Sequence, residues 1–291
     1  MARIAIIGGG NMGEALLAGL LRSGRQVKDL VVAERAPART EHLSQTYGVQ
    51  VTGSITDAAA HADYVVVAVK PADVTAAVNA IAEAAAIAED SSTEQVFVTV
   101  AAGVGTGFFE SKLPAGSAVV RAMPNTPALV GAGVTAVARG RFTTDEQLSA
   151  AAGLFEAVGE VLTVSEAQLD AVTAVSGSGP AYFFLMVEAL VDAGVAVGLP
   201  RAVATDLAVQ TMAGSAAMML DRMDGERGGA DGTRPSGVDT TAAQLRAMVT
   251  SPGGTTAAGL RELERGGLRA AVAAAVEAAK TRSEQLGITS E

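Results

Sequence analysis

A glycine-rich turn near the start of the chain has the residue types that hold a phosphate group. Gly8-Gly9-Gly10-Asn11-Met12-Gly13 has the spacing G-x-G-x-x-G and directly follows the apolar run Ile4–Ile7. In such a turn the first glycine permits a tight bend, the second lets a pyrophosphate approach the backbone, and the third allows close packing of the next helix. Free N–H groups and the positive helix end then bind the phosphates. In this context the pattern predicts dinucleotide binding.

The residues after the second apolar run bear on the choice between NAD and NADP. Glu34 ends the run Leu30–Ala33, where a carboxylate can accept a hydrogen bond from a ribose 2′-hydroxyl, which favours NAD. Arg35 follows at once and Arg39 lies one helical turn on, and either guanidinium can pair with a 2′-phosphate, which favours NADP. The alternative is that both arginines are plain surface residues. We expect NADP, with NADPH favoured, NADH left open and Arg35 as a binding residue.

Three further segments follow strand-like runs and are expected at the same sheet edge, where open α/β sheets bind ligands. Lys70 ends the run Val65–Val69 and precedes Pro71. Small residues in Val100-Ala101-Ala102-Gly103 would let a cofactor lie against the backbone. In Met123-Pro124-Asn125 the amide side chain can both donate and accept hydrogen bonds. A lysine that merely ends a strand and faces water is the alternative for Lys70.

Two Ser- and Gly-rich segments of the second half are typical of anion-binding loops. Ser176-Gly177-Ser178-Gly179-Pro180 precedes the apolar segment 181–190, and Thr250-Ser251-Pro252-Gly253-Gly254-Thr255-Thr256 precedes a helix expected from residue 257. Each would offer free N–H groups, hydroxyls and a helix dipole. The second would fit a small carboxylate particularly well. Ordinary helix capping and close helix packing are the alternative explanation for both.

The first half of the chain alternates short Val- and Ile-rich runs with amphipathic stretches, which is typical of a parallel sheet covered on both faces. The predicted helices include Met12–Arg22, Arg39–Tyr47 and Val74–Ala88. The predicted strands are Ile4–Ile7, Leu30–Ala33, Tyr64–Val69, Val96–Val100, Val119–Arg121, Val134–Ala138 and Val161–Val164. This alternation predicts a doubly wound α/β domain.

After residue 165 the pattern changes to Ala- and Leu-rich helical periodicity. Ser165, with Gln168 three positions later, is typical of a capping box. We therefore predict an α/β domain over 1–164 and an all-α domain over 165–291. The segment 224–237 has the Gly, Pro and Asp content of a solvated loop. Helices are predicted over 166–175, 180–197, 201–222, 241–249, 255–265 and 267–286.

Composition excludes several kinds of chemistry. The 291 residues include no Cys and 2 His, so a disulfide framework, a zinc–thiolate site, a cysteine nucleophile and a multi-histidine metal site are all excluded. A net charge of −10 without any cluster of Lys and Arg argues against a nucleic-acid partner. The chain shows no signal-peptide pattern and no run of 18 uninterrupted apolar residues. We expect a soluble, cytoplasmic protein without a membrane partner.

Five motifs together resemble those of the pyrroline-5-carboxylate reductase family, in that family's order over nearly the whole chain. They are Gly8–Gly13, Ala68-Val69-Lys70-Pro71, Met123-Pro124-Asn125-Thr126-Pro127, Leu169–Tyr182 and Val249–Thr256. The resemblance implies NAD(P)H-dependent reduction of 1-pyrroline-5-carboxylate to L-proline, the last step of proline biosynthesis. It also implies an N-terminal Rossmann domain and a C-terminal helical dimerisation domain, often assembled as a pentamer of dimers.

By position, the resemblance also implies site residues. The substrate loop would face the cofactor of the partner subunit and consist of Ser251, Gly253, Gly254, Thr255 and Thr256. The predicted cofactor-binding residues are Gly8, Gly10, Asn11, Met12, Gly13, Arg35, Ala68, Val69, Lys70, Pro71, Val100, Ala101, Ala102 and Asn125. The chain departs from the family pattern at Ile55, where some members have an Asn near the adenosine. The segment 224–237 looks like an insertion before the substrate loop.

Reduction of a cyclic imine needs little from side chains, because the nicotinamide supplies the hydride and the protein positions it. Thr256 is the predicted catalytic residue, its hydroxyl hydrogen-bonded to the imine nitrogen. A hydroxyl with a pKa far above 7 orients that nitrogen and is not a free acid. We expect the substrate carboxylate to be held by the N–H groups of Gly254 and Thr255 and by the Ser251 hydroxyl.

Two other functions fit part of the pattern. A related imine or β-hydroxyacid reductase would keep the glycine turn. Hydroxyacid enzymes of that type place a Lys on a helix of the C-terminal domain, however, and the predicted helix 180–197 contains none. A dinucleotide-binding module without chemistry is the second alternative, and the intact Ser/Gly/Thr loop argues against it.

Overall fold

The computed structural model describes residues 2–87, 95–227 and 240–288. The chain divides into two compact units, the first made of Met1–Pro180 with Val276–Glu291 and the second of Ala181–Ala275. These units and the predicted domains divide the chain differently. The domain boundary at residue 164 stays a prediction.

Eight strands form a single sheet in the first unit, in the order β3-β2-β1-β4-β5-β6-β7-β8. Their bounds are β1 (Ile4–Ile7), β2 (Leu30–Ala33), β3 (Gln50–Thr52), β4 (Tyr64–Val67), β5 (Val96–Thr99), β6 (Ala118–Met123), β7 (Gly133–Arg139) and β8 (Gly159–Thr163). Neighbouring strands are parallel except β6 and β7, which are antiparallel. The predicted α/β class is confirmed. The sequence did not predict β3, because three residues on a partly exposed edge carry too little apolar pattern.

Twelve helices are found in the described parts of the chain. In the first unit these are α1 (Asn11–Arg22), α2 (Pro37–Tyr47), α3 (Ile55–Ala59), α4 (Val74–Ile87), α5 (Thr106–Glu110), α6 (Asp145–Phe155) and α7 (Leu169–Val172). The others are α8 (Gly179–Ala196), α9 (Arg201–Arg227), α10 (Thr241–Met248), α11 (Thr255–Arg265) and α12 (Leu268–Ile288). Because α9 continues to Arg227, the first part of the predicted loop 224–237 is helical, and the rest lies outside the described residues.

Apolar side chains cover both faces of the sheet. On β1, Ile4 and Ile6 belong to one buried cluster, which includes Leu17 of α1. Ala5 and Ile7 belong to the other. Successive side chains of a strand point to opposite faces, so a strand buried on both faces becomes a continuous apolar run. This packing holds the carboxyl ends of the central strands rigidly at one edge.

The predicted anion-binding loop at residues 176–180 is wrong, because this segment is helical. Residues Thr173–Gly177 form a π turn between α7 and α8, in which the Ser178 N–H donates to the Thr173 carbonyl at 2.8 Å. A Cβ atom on Gly177 would lie 2.6 Å from Met123 Cε. The glycine therefore serves close packing, which was the alternative explanation.

Large apolar side chains of the second unit are exposed in the single chain. Phe183, Phe184 and Leu185 on α8 are 62%, 63% and 65% exposed. Soluble monomers rarely expose contiguous apolar patches of this kind, which mark interaction surfaces. The helical stretch 166–196 is also long and apolar enough to cross a membrane, by length and composition alone.

Candidate active site

The carboxyl ends of β1, β4 and β5 meet at one edge of the sheet. The hydrogen-bond ladder continues past the strands there: the Ala68 N–H donates to the Ile7 carbonyl at 2.8 Å, and the Val100 N–H donates to the Val67 carbonyl at 3.0 Å. Gly8, the first residue of the glycine turn, follows β1 at the same edge. The strand order reverses between β1 and β4, which is where open α/β sheets bind ligands.

A cleft opens at this edge and contains six of the fourteen predicted cofactor residues. The other eight, Asn11, Met12, Gly13, Pro71, Val100, Ala101, Ala102 and Asn125, do not line it, and their roles stay predictions. The cleft is also lined by Ile55, which departs from the family pattern, and by Asp73, which no sequence motif indicated. The six predicted residues that line the cleft are Gly8, Gly10, Arg35, Ala68, Val69 and Lys70.

The glycine turn has the shape that a pyrophosphate needs. Gly8 has φ +108°, and a Cβ atom there would lie 2.8 Å from the Ala68 carbonyl oxygen. A Cβ atom on Gly13 would overlap the Gly8 carbonyl oxygen, so the third glycine is required for close packing of α1 on β1. By contrast, Gly10 has no atom within 4 Å of its Cβ position. The space in front of Gly10 is therefore open to a phosphate, and the residues present fit a dinucleotide.

Glu34 holds the glycine turn through backbone hydrogen bonds. Its Oε2 accepts from the Gly9 N–H at 2.9 Å, and its Oε1 accepts from the N–H groups of Arg35 and Ala36 at 2.8 Å each. Both carboxylate oxygens are therefore engaged by the chain itself. This weakens the sequence argument that Glu34 selects NAD by binding a ribose hydroxyl.

The two arginines that follow Glu34 have different surroundings. Arg39 donates to the Gly9 carbonyl and, at 2.6 Å, to the Glu14 carboxylate, so it also holds the turn. Arg35 lines the cleft with a side chain that is 73% exposed, and its Nη2 lies 3.4 Å from Asp73 Oδ1. Of these two arginines, Arg35 is the one available to a 2′-phosphate.

A small polar cluster around Glu14 fixes α1 to α2 behind the turn. The Glu14 carboxylate accepts from Arg39 at 2.6 Å and from the Tyr47 hydroxyl at 3.1 Å, and its Oε1 lies 2.7 Å from His42 Nε2. Burial alone would raise the pKa of Glu14, but these hydrogen bonds outweigh burial and hold that pKa below its ordinary value of 4.5.

The Glu14 cluster predicts a pH-dependent stability. A lowered folded-state pKa gives stabilisation that is present above pH 4.5 and is lost as the pH falls through the folded-state value. We expect Glu14→Gln to lower Tm at pH 7, and we expect the difference in Tm from the unsubstituted protein to narrow as the pH falls below 4.5. Glu41→Gln, at an exposed residue that accepts a hydrogen bond from Gln45 at 3.0 Å, is the control. A Tm difference as large at acidic pH as at pH 7 would contradict this role of Glu14.

The predicted substrate loop joins α10 to α11 in the second unit. Gly253 has φ +71°, and Gly254 is the N-cap of α11 without a side chain to cap the helix. The Gly254 N–H donates to the Ser251 carbonyl at 3.1 Å, so this predicted carboxylate donor is already used in a turn. The N–H groups of Thr255 and Thr256, in the first turn of α11, are the donors that an uncapped helix leaves open.

Asn125 has a local structural role that the sequence did not predict. Its Oδ1 accepts from the Val134 N–H at 2.9 Å, and its Nδ2 donates to the Ser176 hydroxyl at 3.3 Å. It ties the end of β6 to the start of β7 and to the π turn. Direct contact of Asn125 with a cofactor stays a prediction. The described residues contain no group of three or more His, Asp or Glu side chains that could hold a metal ion.

Comparison with known proteins gives the family. A family model described as pyrroline-5-carboxylate reductase dimerisation matches residues 166–286, and one described as NADP oxidoreductase coenzyme F420-dependent matches residues 3–103. The pyrroline-5-carboxylate reductase of Mycobacterium tuberculosis is 70% identical, over 100% of this chain and 99% of that protein. The chain belongs to the pyrroline-5-carboxylate reductase family.

Solved structures of pyrroline-5-carboxylate reductases agree with this. The Coxiella burnetii structure has 36% identity and a TM-score of 0.84, and the Plasmodium falciparum structure with NADP bound has 28% identity and a TM-score of 0.81. Each comparison covers 98% of both chains. The predicted family, the oxidoreductase class, the NADP cofactor and self-association through the helical part are thereby confirmed.

Proposed function

We propose that this chain reduces 1-pyrroline-5-carboxylate to L-proline with NADPH, the last step of proline biosynthesis. The observation that carries the proposal is a pair of sites: an open glycine turn at the sheet edge and an uncapped helix N-terminus in the loop 250–256. The first suits a dinucleotide and the second suits a small carboxylate. A reductase of an imino acid needs both.

Gly8 and Gly10, which line the cleft, would hold the pyrophosphate of the cofactor. Arg35 and Ile55 line the side of the cleft near β2 and β3, which receives the adenosine end. Lys70, which lines the cleft after β4, and the segment Val100–Ala102, which follows β5 at the same sheet edge but outside the cleft lining, would receive the nicotinamide end. Small or apolar residues predominate along this course, so the cofactor can approach the backbone closely.

The substrate carboxylate binds at the start of α11. The donors are the N–H groups of Thr255 and Thr256 together with the exposed Ser251 hydroxyl. This set differs from the sequence prediction in one donor, because the Gly254 N–H is bonded to the Ser251 carbonyl. The loop faces the cofactor of the partner subunit.

The chemistry requires orientation more than acid–base groups. NADPH supplies the hydride when it is bound. The Thr256 hydroxyl forms a hydrogen bond with the imine nitrogen, and the proton of the iminium arrives with the substrate. The absence of Cys and the scarcity of His therefore suit this reaction.

The assembly is a dimer that associates further into a decamer, in the cytoplasm. The exposed apolar side chains of α8 and the dimerisation model over 166–286 support burial of this surface between subunits, without a membrane. A net charge of −10 supports the absence of a nucleic-acid partner.

The loss of absorbance of the reduced cofactor tests the function. Purified protein mixed with 1-pyrroline-5-carboxylate should oxidise NADPH and form proline in equal amounts. NADH in parallel measures the cofactor preference. If only a different imine were reduced with NADPH, or only a β-hydroxyacid were oxidised with NADP⁺, the related reductases would be favoured. Cofactor binding without any turnover would favour a binding module.

Arg35 is expected to set the preference for NADPH. Arg35→Ala should lower kcat/KM for NADPH about fivefold, the scale of one exposed charge pair, and leave kcat/KM for NADH within twofold. Arg139→Ala, at an arginine paired with Asp145 (2.7 Å) on β7, is the matched control. Equal losses with both cofactors would remove Arg35 from the 2′-phosphate site.

A further inference from the structure

A carboxylate distant in sequence fixes one end of the loop 100–106, which follows β5. Glu166 accepts two hydrogen bonds from Thr106: one from its N–H at 2.6 Å and one from its hydroxyl at 2.7 Å. Thr106 is 4% exposed and begins α5, so the carboxylate also satisfies a helix N-terminus. None of the motifs assigned to the cofactor or to the substrate includes this contact.

A buried arginine joins Glu166 to a second carboxylate. The side chain of Arg121 on β6 is 8% exposed, with Nη1 3.8 Å from Glu166 Oε1 and Nη2 3.6 Å from Asp170 Oδ1. Across the β5–β6 pair Arg121 lies opposite Thr99, whose hydroxyl accepts from the Ala101 N–H at 3.2 Å. A buried guanidinium needs both carboxylates nearby, because an unpaired buried charge is costly.

The last helix closes these contacts into a ring. Ser283 on α12 is 3% exposed and donates to Asp170 Oδ1 at 2.7 Å. Four residues later, Gly287 lies against Gly103, whose Cβ position is 3.0 Å from the Gly287 nitrogen. Gly103 also has φ +78°, which favours glycine. The loop is thus held at Thr106 through Glu166 and at Gly103 through α12.

We propose that Glu166 is a positioning residue of the reductase and that the ring of contacts through Arg121, Asp170 and α12 holds the loop 100–106 in place after β5, beside the nicotinamide end of the cofactor. This rests on the proposed function, which places Val100–Ala102 at that end. Displacing the reacting nicotinamide by about 1 Å can lower the reaction rate up to a hundredfold. The C-terminal helix therefore serves cofactor alignment.

The test compares substitutions around the ring. Glu166→Ala removes both the acceptor and the charge, and should lower kcat about fivefold and raise the Kd of NADPH about threefold, with KM for 1-pyrroline-5-carboxylate within twofold. Glu166→Gln keeps an oxygen acceptor for Thr106 and should recover part of kcat. Ser283→Ala should change kcat in the same direction by a smaller factor. Kd is measured from the fluorescence of bound NADPH.

Glu110→Ala is the matched control, because Glu110 accepts from the Arg141 N–H at 2.6 Å at the other end of α5. It should lower Tm and leave kcat and the Kd of NADPH unchanged. Kinetic constants of Glu166→Ala within twofold of those of the unsubstituted protein, or an equal kinetic loss in Glu110→Ala, would overturn the proposal.

If the unsubstituted protein does not reduce 1-pyrroline-5-carboxylate, the proposed function fails, and the comparison of NADPH Kd values still tests the ring of contacts. If Glu166→Ala does not fold, kcat and the Kd of NADPH are compared between Glu166→Gln, Ser283→Ala and the unsubstituted protein.

Discussion

Gly10→Ala is expected to abolish most NADPH binding while leaving the fold intact. Gly10 has φ −71° and ψ −174°, a conformation that alanine adopts, and no atom lies within 4 Å of its Cβ position. The methyl group would instead occupy the open space assigned to the pyrophosphate. Losing one or two charged hydrogen bonds corresponds to roughly a thirty- to hundredfold rise in the Kd of NADPH.

The Tm of Gly10→Ala should stay within about 3 °C of the unsubstituted protein, because two small effects oppose each other. Alanine is a poorer N-cap than glycine, but it lowers the entropy of the unfolded chain. Gly13→Ala should behave differently, since its Cβ atom would overlap the Gly8 carbonyl oxygen. Overpacking of this kind lowers the free energy of unfolding by about 1–3 kcal/mol. Gly13→Ala should therefore have both a lower Tm and a weaker affinity for NADPH.

Gly153→Ala is the control for these substitutions. Gly153 lies within α6 and has no atom within 4 Å of its Cβ position, so the change should leave the Kd of NADPH unaltered. Titration of NADPH fluorescence and thermal unfolding measure both quantities. Normal NADPH binding by Gly10→Ala would show that the pyrophosphate does not lie against this turn.

The sequence predicted the parts of the fold that depend on local pattern. The buried run Ile4–Ile7 and the glycine spacing that follows it predicted the sheet edge that we propose for the cofactor, because continuous burial and tight turns restrict residue type strongly. The segment Ser176–Pro180 was predicted wrongly, since serine and glycine suit a loop and a close-packed helix equally. Its contact with Met123 depends on the tertiary fold.

The electrostatics of the site could not be predicted from the sequence, since partners far apart in the chain determine them. By its position in the sequence Glu34 could have bound a ribose hydroxyl, but its oxygens are bonded to the backbone of Gly9 and of the two residues that follow Glu34. The partnership of Glu166 with Thr106 spans 60 positions, and no short motif indicates it. Residue type indicated which groups were charged, but only the fold indicates which of them remain available to a ligand.

Thr256→Ala is expected to lower kcat at least tenfold, the scale of one hydrogen bond made in the transition state. Thr256 lies in the first turn of α11 and is exposed. The N-cap residue of this helix, Gly254, has no side chain to cap it. The backbone donor survives the substitution, so the carboxylate site remains and KM for 1-pyrroline-5-carboxylate should rise less than threefold. A loss in kcat with a nearly constant KM would separate an orienting role at the imine from general binding.

Two comparisons sharpen this experiment. Thr256→Ser keeps the hydroxyl and should recover most of kcat, whereas Thr250→Ala removes a hydroxyl that is already bonded to the Arg246 carbonyl at 2.6 Å and should change kcat little. Because the Thr256 hydroxyl orients the nitrogen without titrating, the pH profile of kcat should keep its shape in Thr256→Ala. Unchanged kcat in Thr256→Ala, with the protein folded and binding NADPH normally, would exclude the Thr256 hydroxyl from the reacting centre. The recognition elements of the loop would then be the N–H groups of Thr255 and Thr256 and the Ser251 hydroxyl.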